Sequence, residues 1–323
     1  MGQTDVTSRR SRPVFAERFP HSWRWPIAPR FLALVSLAAA LLVFADARRR
    51  LRRVPAVLWA IAAAAVVGAA VPLYLIVRPT GRATWGLVEV AGVTLFFAGT
   101  LPLAGLLLPR GAAGGLPPLW LVVVLAVAQN AFFVAAATYV VAVKYKLPLA
   151  ALGLRLDHAR RRLIQGVAAS VAAVLGNGLG QNLTVFLLAF SMGHAAATTY
   201  VNSAQQQSPV YRLLPQLHAG AEITLLALLV GVIVPIGEEV FFRGLVLGAL
   251  RRALNRHAAV AVSALFFAAA HLQAVELLPI LILGLVLGYL YDLTGSLVPG
   301  MIAHGLNNLA ALFLFYQGPS LGS

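Results

Sequence analysis

Two adjacent carboxylates and a guanidinium lie inside an otherwise apolar run, and no other feature restricts the fold of this chain as tightly. The run extends from about Ala219 to Leu250 and contains PIGEEVFFRG at positions 235–244. An ionisable group in a membrane-spanning helix is costly unless it is paired or faces a wet cavity, so each one is a candidate functional group. On a helix Glu239 and Arg243 are i,i+4 neighbours and can pair. Glu238 is rotated by about 100° from Glu239 and is left over. Pro235 leaves the carbonyl of Gly231 without its helical donor and is expected to kink the helix.

Composition sets the class. With 60% hydrophobic and 11% charged residues, and a mean hydropathy of +0.84, the chain reads as a polytopic membrane protein. A formal net charge of +15 suggests nucleic acid at first sight, but eleven of the 25 Lys and Arg precede Val54 and the rest mostly bracket apolar runs. That distribution suits anionic lipid headgroups and topology control, and no nucleic-acid partner is expected. The absence of cysteine excludes disulfides, thiolate nucleophiles and cysteine metal sites.

The fold expected is all-α: a polytopic transmembrane helix bundle of about 8–9 membrane helices, with its catalytic core in the C-terminal half. Residues 1–30 read as a basic cytoplasmic or interfacial tail without a cleaved signal. Residues 31–145 form an N-terminal membrane module with no assigned role, 146–316 the core, and 317–323 a short tail. The apolar runs are Phe31–Ala45, Val54–Val77, Thr84–Pro109, Pro118–Val143, Leu163–Phe190, Ala219–Leu250, His257–Leu272, Leu278–Tyr291 and Leu297–Tyr316. Placing Lys144–Arg162 in the cytoplasm also places Arg251, Arg252 and Arg256 there. Between the Arg48–Arg53 cluster and Lys144 stand three apparent spans, an odd number, although both ends should be cytoplasmic. One segment must therefore fail to cross, and Thr84–Pro109, which contains Glu89, Gly99 and Pro102, is the suspect.

Two further clusters follow: Phe267 with His271, and His304 with Asn308, each pair i,i+4 on one helix face. Measured from the cytoplasmic helix ends at 1.5 Å per residue, Glu238 lies roughly 20 Å inward and His271 roughly 21 Å. His304 and Asn308 come out at roughly 10 and 16 Å. A carboxylate beside an imidazole can act as general base on water, and a second imidazole with an amide can donate to a developing oxyanion. Glu238, His271 and His304 could equally ligate Zn²⁺ with an open position for water. The competing readings are a structural ion pair, a satisfied core histidine, interhelical hydrogen-bond glue and, for Phe266 and Phe267, plain packing. Glu89, Gln129 and Asn130 read as local packing.

EExxxR, FxxxH and HxxxN, in this order on three of the last four helices, resemble the CPBP family. That family comprises the type II CAAX prenyl endopeptidases and bacterial relatives of the bacteriocin-processing or abortive-infection type. The motifs fall on Glu238, Glu239, Arg243, Phe267, His271, His304 and Asn308 without a substitution. The resemblance covers about Ala150–Tyr316, and the first 145 residues have no counterpart in it. It implies a glutamic-type intramembrane endopeptidase: Glu238 and His271 would activate water, and His304 and Asn308 would stabilise the tetrahedral intermediate. Glu239, Arg243 and Phe267 would support them. No cofactor is implied, with zinc as the minority mechanism. Expected partners are membrane lipids and a protein or peptide substrate, prenylated in the CAAX case. The expected location is the cell membrane, as a multi-pass protein. Two alternatives stay open: a non-catalytic membrane scaffold of the same fold, and a proton-coupled transporter, which would spread polar groups along a path.

Overall fold

The structure, a computed structural model, describes residues 29–51, 53–65, 67–107, 118–206, 212–214, 217 and 220–317. The basic tail expected at 1–30 falls outside them except for its last two residues, and so does the C-terminal tail beyond 317. The described residues form helices without a strand among them: α1 Pro29–Arg50, α2 Arg53–Ala65, α3 Val67–Val77, α4 Leu87–Leu107, α5 Leu119–Lys144, α6 Ala159–Met192, α7 His194–Gln206, α8 Gly220–Leu250, α9 Arg256–Ala270, α10 Leu277–Thr294 and α11 Leu297–Gln317. Five are long and apolar enough to cross a membrane: α5, α6, α8, α10 with the short turn that precedes it, and α11. Leu87–Ala98 and Arg256–Ala270 are shorter apolar helices.

The run Val54–Val77 shows why the sequence count is higher. Trp59 and Tyr74 stack edge-on with ring centroids 5.4 Å apart. On one straight helix fifteen residues would separate them by about 22 Å, so α2 and α3 fold back as a hairpin. Arg50 donates to the carbonyl of Pro79 (3.1 Å) and Arg78 to Asp46 (2.7 Å), so both ends of the hairpin sit at the basic end of α1. At 13 and 11 residues, α2 and α3 reach about 20 and 16 Å, short of a hydrocarbon core of about 30 Å. Val54–Val77, read as one span in the sequence, is thus two short helices. Glu89, at the start of α4, pairs with Lys144, at the end of α5 (2.8 Å). The start of α4 and the end of α5 thus lie together.

α8 is the axis of the core. All nine residues Glu239–Leu247 are buried, because α5, α9, α10, α11 and the turn Leu149–Leu152 all pack on this stretch. A helix apolar on every side and enclosed on every side is a core helix. α6 is its opposite. Leu163, Val167, Val171, Leu175, Leu179, Phe186 and Phe190 form an exposed stripe at helical spacing, and small buried residues, Gly166, Ser170, Ala173 and Gly180, face inward. A Cβ on Gly180 would stand 2.6 Å from the backbone of Pro279 in α10. Small residues let helix backbones meet in lipid, where apolar burial alone drives little association. At the basic end, Arg162 donates to the Thr294 carbonyl (2.8 Å), and Ser296 Oγ to the Arg155 carbonyl (3.1 Å). Asp292 binds Arg251 (2.7 Å) and Arg256. These contacts gather the 145–158 connector, the α8–α9 loop and the α10–α11 turn on one side.

Candidate active site

Glu238 and Glu239 stand where α8 changes register. The helix is π-wound over Leu229–Ile233, α-helical over Val234–Glu238 and π-wound again over Glu239–Leu247. π turns inside α-helices recur at functional sites, and here they turn both carboxylates into the bundle. The Val234 amide donates to the Leu229 carbonyl, five residues back. In that register the next donor would be the amide of Pro235, which has no hydrogen. The orphaned carbonyl is therefore that of Val230, not Gly231 as straight α-geometry predicts. Asn308 of α11 supplies the missing donor, Nδ2 to Val230 O at 2.9 Å.

Glu239 is fully buried and serves two partners at once. Its Oε1 lies 3.0 Å from Arg243 and 3.1 Å from His304 Nδ1. Arg243, also buried, donates to the Gly284 carbonyl of α10 (3.3 Å) and lies over the ring of Phe267 at 4.3 Å. The carboxylate shared with Arg243 accepts, so His304 donates through Nδ1–H and turns Nε2 toward Glu238, whose Oε2 is 3.8 Å away. His304 thus sits between the two glutamates, level with them; the sequence register placed it nearer the cytoplasm. Asn308 meets α8 about two turns farther out, at Val230.

α9 stops at this layer. Its 15 residues, Arg256–Ala270, reach about 22 Å, short of a hydrocarbon core of about 30 Å. His271 is the C-terminal capping residue. Its Nδ1 lies 2.8 Å from the Phe267 carbonyl, and a carbonyl can only accept. Nδ1 therefore carries the proton in this contact, and Nε2 of the neutral ring is an acceptor. Phe267, completely buried, is edge-on to His271 (4.9 Å) and to His304 (5.7 Å). The packing reading of Phe267 and a supporting one describe the same contacts.

Beyond this layer a cavity of about 530 Å³ opens between α6, α8, α10 and α11. It reaches α8 at Val230 and Val234, one turn from Glu238, and is lined by Asn177, Gln181, Gln273, Glu276, Asn307 and Asn308 among others. Asn177 and Gln181, i,i+4 inside an apolar run, carried that signal in the sequence and were not weighed there. Gly300, four residues before His304, was also missed: a Cβ there would stand 2.9 Å from Glu239 Oε2. Glu89 stays apart from this layer, whereas Asn130 packs beside Glu238: a Cβ on Gly237 would clash with Asn130 Oδ1. Glu89 is spent on Lys144, Tyr145 and the Gly86 amide, and Asn130 donates to Ala126 O (2.8 Å).

Buried polar atoms without a hydrogen-bond partner mark where a reactant could bind. They include Glu238 Oε2, Glu239 Oε2 and Arg243 Nε. Among the described residues no three His, Asp or Glu side chains converge closely enough to hold a metal ion. No step below is routed through a metal.

Residues 220–310 match the family model described as Type II CAAX prenyl endopeptidase Rce1-like. The match begins with α8 and ends in α11 just past Asn308, so it contains every residue of the three motifs. No curated protein and no solved structure matches the chain.

Proposed function

Residues 220–310 carry an Rce1-like domain of the type II CAAX prenyl endopeptidase kind, within an integral membrane protein of several apolar helices; from this we propose that the chain is an intramembrane endopeptidase in which Glu238 and His271 activate water. The observation that carries the reading is Glu238 Oε2: buried, without a hydrogen-bond partner, and one turn below a largely apolar cavity that several amide side chains also line. An unsatisfied carboxylate oxygen inside a bundle is costly to maintain, and a substrate water would satisfy it.

In the proposed reaction a water between Glu238 and Nε2 of His271 loses a proton to this pair and attacks the scissile carbonyl carbon. In this step His304 acts as the imidazolium, with Nδ1–H on Glu239, and the oxygen of the tetrahedral intermediate accepts from its Nε2–H and from the second Nδ2–H of Asn308, the first being engaged with Val230. The proton held by the Glu238–His271 pair passes to the departing amine, the C–N bond breaks, and a carboxylate and an amine remain. Glu239 fixes the orientation of His304 through Nδ1–H, while Arg243 holds Glu239.

The substrate class that fits is the C-terminal region of a membrane-associated protein or peptide, of CAAX type. A panel of prenylated and unmodified reporter peptides, given to the reconstituted protein, tests this directly. Cleavage should disappear in Glu238→Ala and His271→Ala while a zinc chelator leaves it intact. Chelator-sensitive cleavage restored by zinc would replace the glutamate–histidine mechanism with a metal one. No cleavage of any peptide by the folded protein would favour the scaffold reading.

A further inference from the structure

A second cavity, of about 420 Å³, lies at the basic end of the molecule, where the α3–α4 loop meets the last turn of α5. Four cations line it: Arg78, Arg82, Lys144 and Lys146. Arg78 is paired with Asp46 and Lys144 with Glu89. Arg82 and Lys146 are exposed and make no ion pair with a described residue. The lining therefore carries a surplus of positive charge. Arg78 Nε is buried without a hydrogen-bond partner. Lys146 holds left-handed backbone (φ 54°), a conformation that a lysine adopts only under constraint. Tyr139 and Tyr145 complete the wall, tyrosine being a residue that settles at membrane interfaces.

This pocket continues into an apolar one. A groove of about 600 Å³ runs between α5 and α8, lined by Val127, Ala131, Val134, Ala135, Ile233 and Ile236 among others. Tyr139 and Val143 line both cavities. From Val143 to Val127 the groove follows sixteen residues of α5, about 24 Å. Surplus positive charge at the end of a membrane span, joined to an apolar channel down that span, complements one kind of molecule: an anionic headgroup attached to an acyl chain.

We propose that this composite cavity binds an anionic phospholipid, with its phosphate among Arg78, Arg82, Lys144 and Lys146 and one acyl chain in the α5–α8 groove. The site would give the N-terminal helices a role. The α3–α4 loop that carries Arg82 is fastened to α8 by Trp85, which donates to the Leu245 carbonyl at 3.0 Å and is covered by Arg252 at 3.9 Å. Lipid bound at the loop would hold it, and through Trp85 the cytoplasmic end of the helix that bears Glu238.

Affinities of the full chain in detergent would be measured by thermal-shift titration with three probes: dioleoyl phosphatidylglycerol, dioleoyl phosphatidylcholine and glycerol 3-phosphate. Phosphatidylglycerol should bind, phosphatidylcholine about tenfold more weakly or worse, and glycerol phosphate not measurably. The double variant Arg82→Ala/Lys146→Ala, both positions exposed and so tolerant, should lose roughly thirtyfold in phosphatidylglycerol affinity, from the usual worth of a basic side chain near an anionic surface. Ala135→Trp, which fills the groove, should weaken the long-chain lipid as well. Equal binding of the two phospholipids would overturn the proposal, as would an unaffected double variant. Glycerol phosphate binding as tightly as the lipid, with Ala135→Trp silent, would make this a soluble phosphate-ester site and overturn the lipid assignment too.

Discussion

Two buried charge clusters in this molecule are treated in opposite ways. At the junction of α4 and α5, both oxygens of Glu89 are used: Oε1 accepts from Lys144 and Tyr145 at 2.8 Å each, and Oε2 from the Gly86 amide at 3.0 Å. In the core, Glu239 Oε1 is shared between Arg243 and His304, while Glu239 Oε2 and Glu238 Oε2 have no hydrogen-bond partner. A satisfied buried network fixes an arrangement, whereas a half-satisfied one is a liability unless something else binds there. The difference separates a structural clamp from a site, although both look alike in sequence as an acid inside an apolar run.

The sharpest way to break that comparison is to neutralise one carboxylate on each side. Glu238→Gln keeps the shape and removes the base, so cleavage of a reporter peptide should fall by about 10²–10⁴-fold with the unfolding midpoint nearly unchanged. Glu89→Gln should do the reverse. It leaves Lys144 buried without its charge partner, at a cost of about 3–5 kcal/mol, read as a lower unfolding midpoint, while turnover per folded molecule is kept. Equal loss of activity in both variants, at equal folded fraction, would erase the distinction.

Gly300→Ala probes the core without touching a charge. Its Cβ would stand 2.9 Å from Glu239 Oε2, so Glu239 must shift and carry His304 with it. Misplacement of a catalytic group by about 1 Å can cost about 10²-fold in rate. Steady-state kinetics should show that loss mainly in kcat; a loss confined to KM would point to the substrate cavity instead.

Much of the core was legible because its signals are local. PIGEEVFFRG, FxxxH and HxxxN are each contained within about three helical turns or fewer, and i,i+4 spacing translates directly into a shared face. The partner of His304 was not legible. Glu239 has an obvious local mate in Arg243, and nothing in a one-dimensional pattern says that α11 enters at the level of the glutamates. The π turns were also hidden, since hydropathy does not distinguish 3.6 residues per turn from a wider winding. They moved the orphaned carbonyl from Gly231 to Val230 and so gave Asn308 its contact. In the N-terminal half, apolarity counted Val54–Val77 as one crossing. A run that folds back on itself differs from a span by its turn and by the reunion of its ends, Arg50 with Pro79 and Asp46 with Arg78, which are long-range facts.

The smallest effect, and the one that sharpens the clamp side, concerns Asp46. It lies at the basic end of α1, outside the five candidate spans. Burial alone would raise its pKa, but donors on Arg50, Tyr74 and Arg78 outweigh that and hold it down at about 2. A carboxylate whose folded pKa lies below its unfolded value, about 3.9, adds stability that is present above the unfolded pKa and is lost as pH falls through the folded one. The unfolding midpoints of the wild type and Asp46→Asn should therefore differ by a constant amount from neutral pH to about 5. The gap should then close between about pH 4 and 2. A gap that persists to pH 2 would mean that the aspartate acts through shape and not through charge. The α1–α3 contact would then no longer belong with Glu89 and Lys144 among the charge-satisfied clamps.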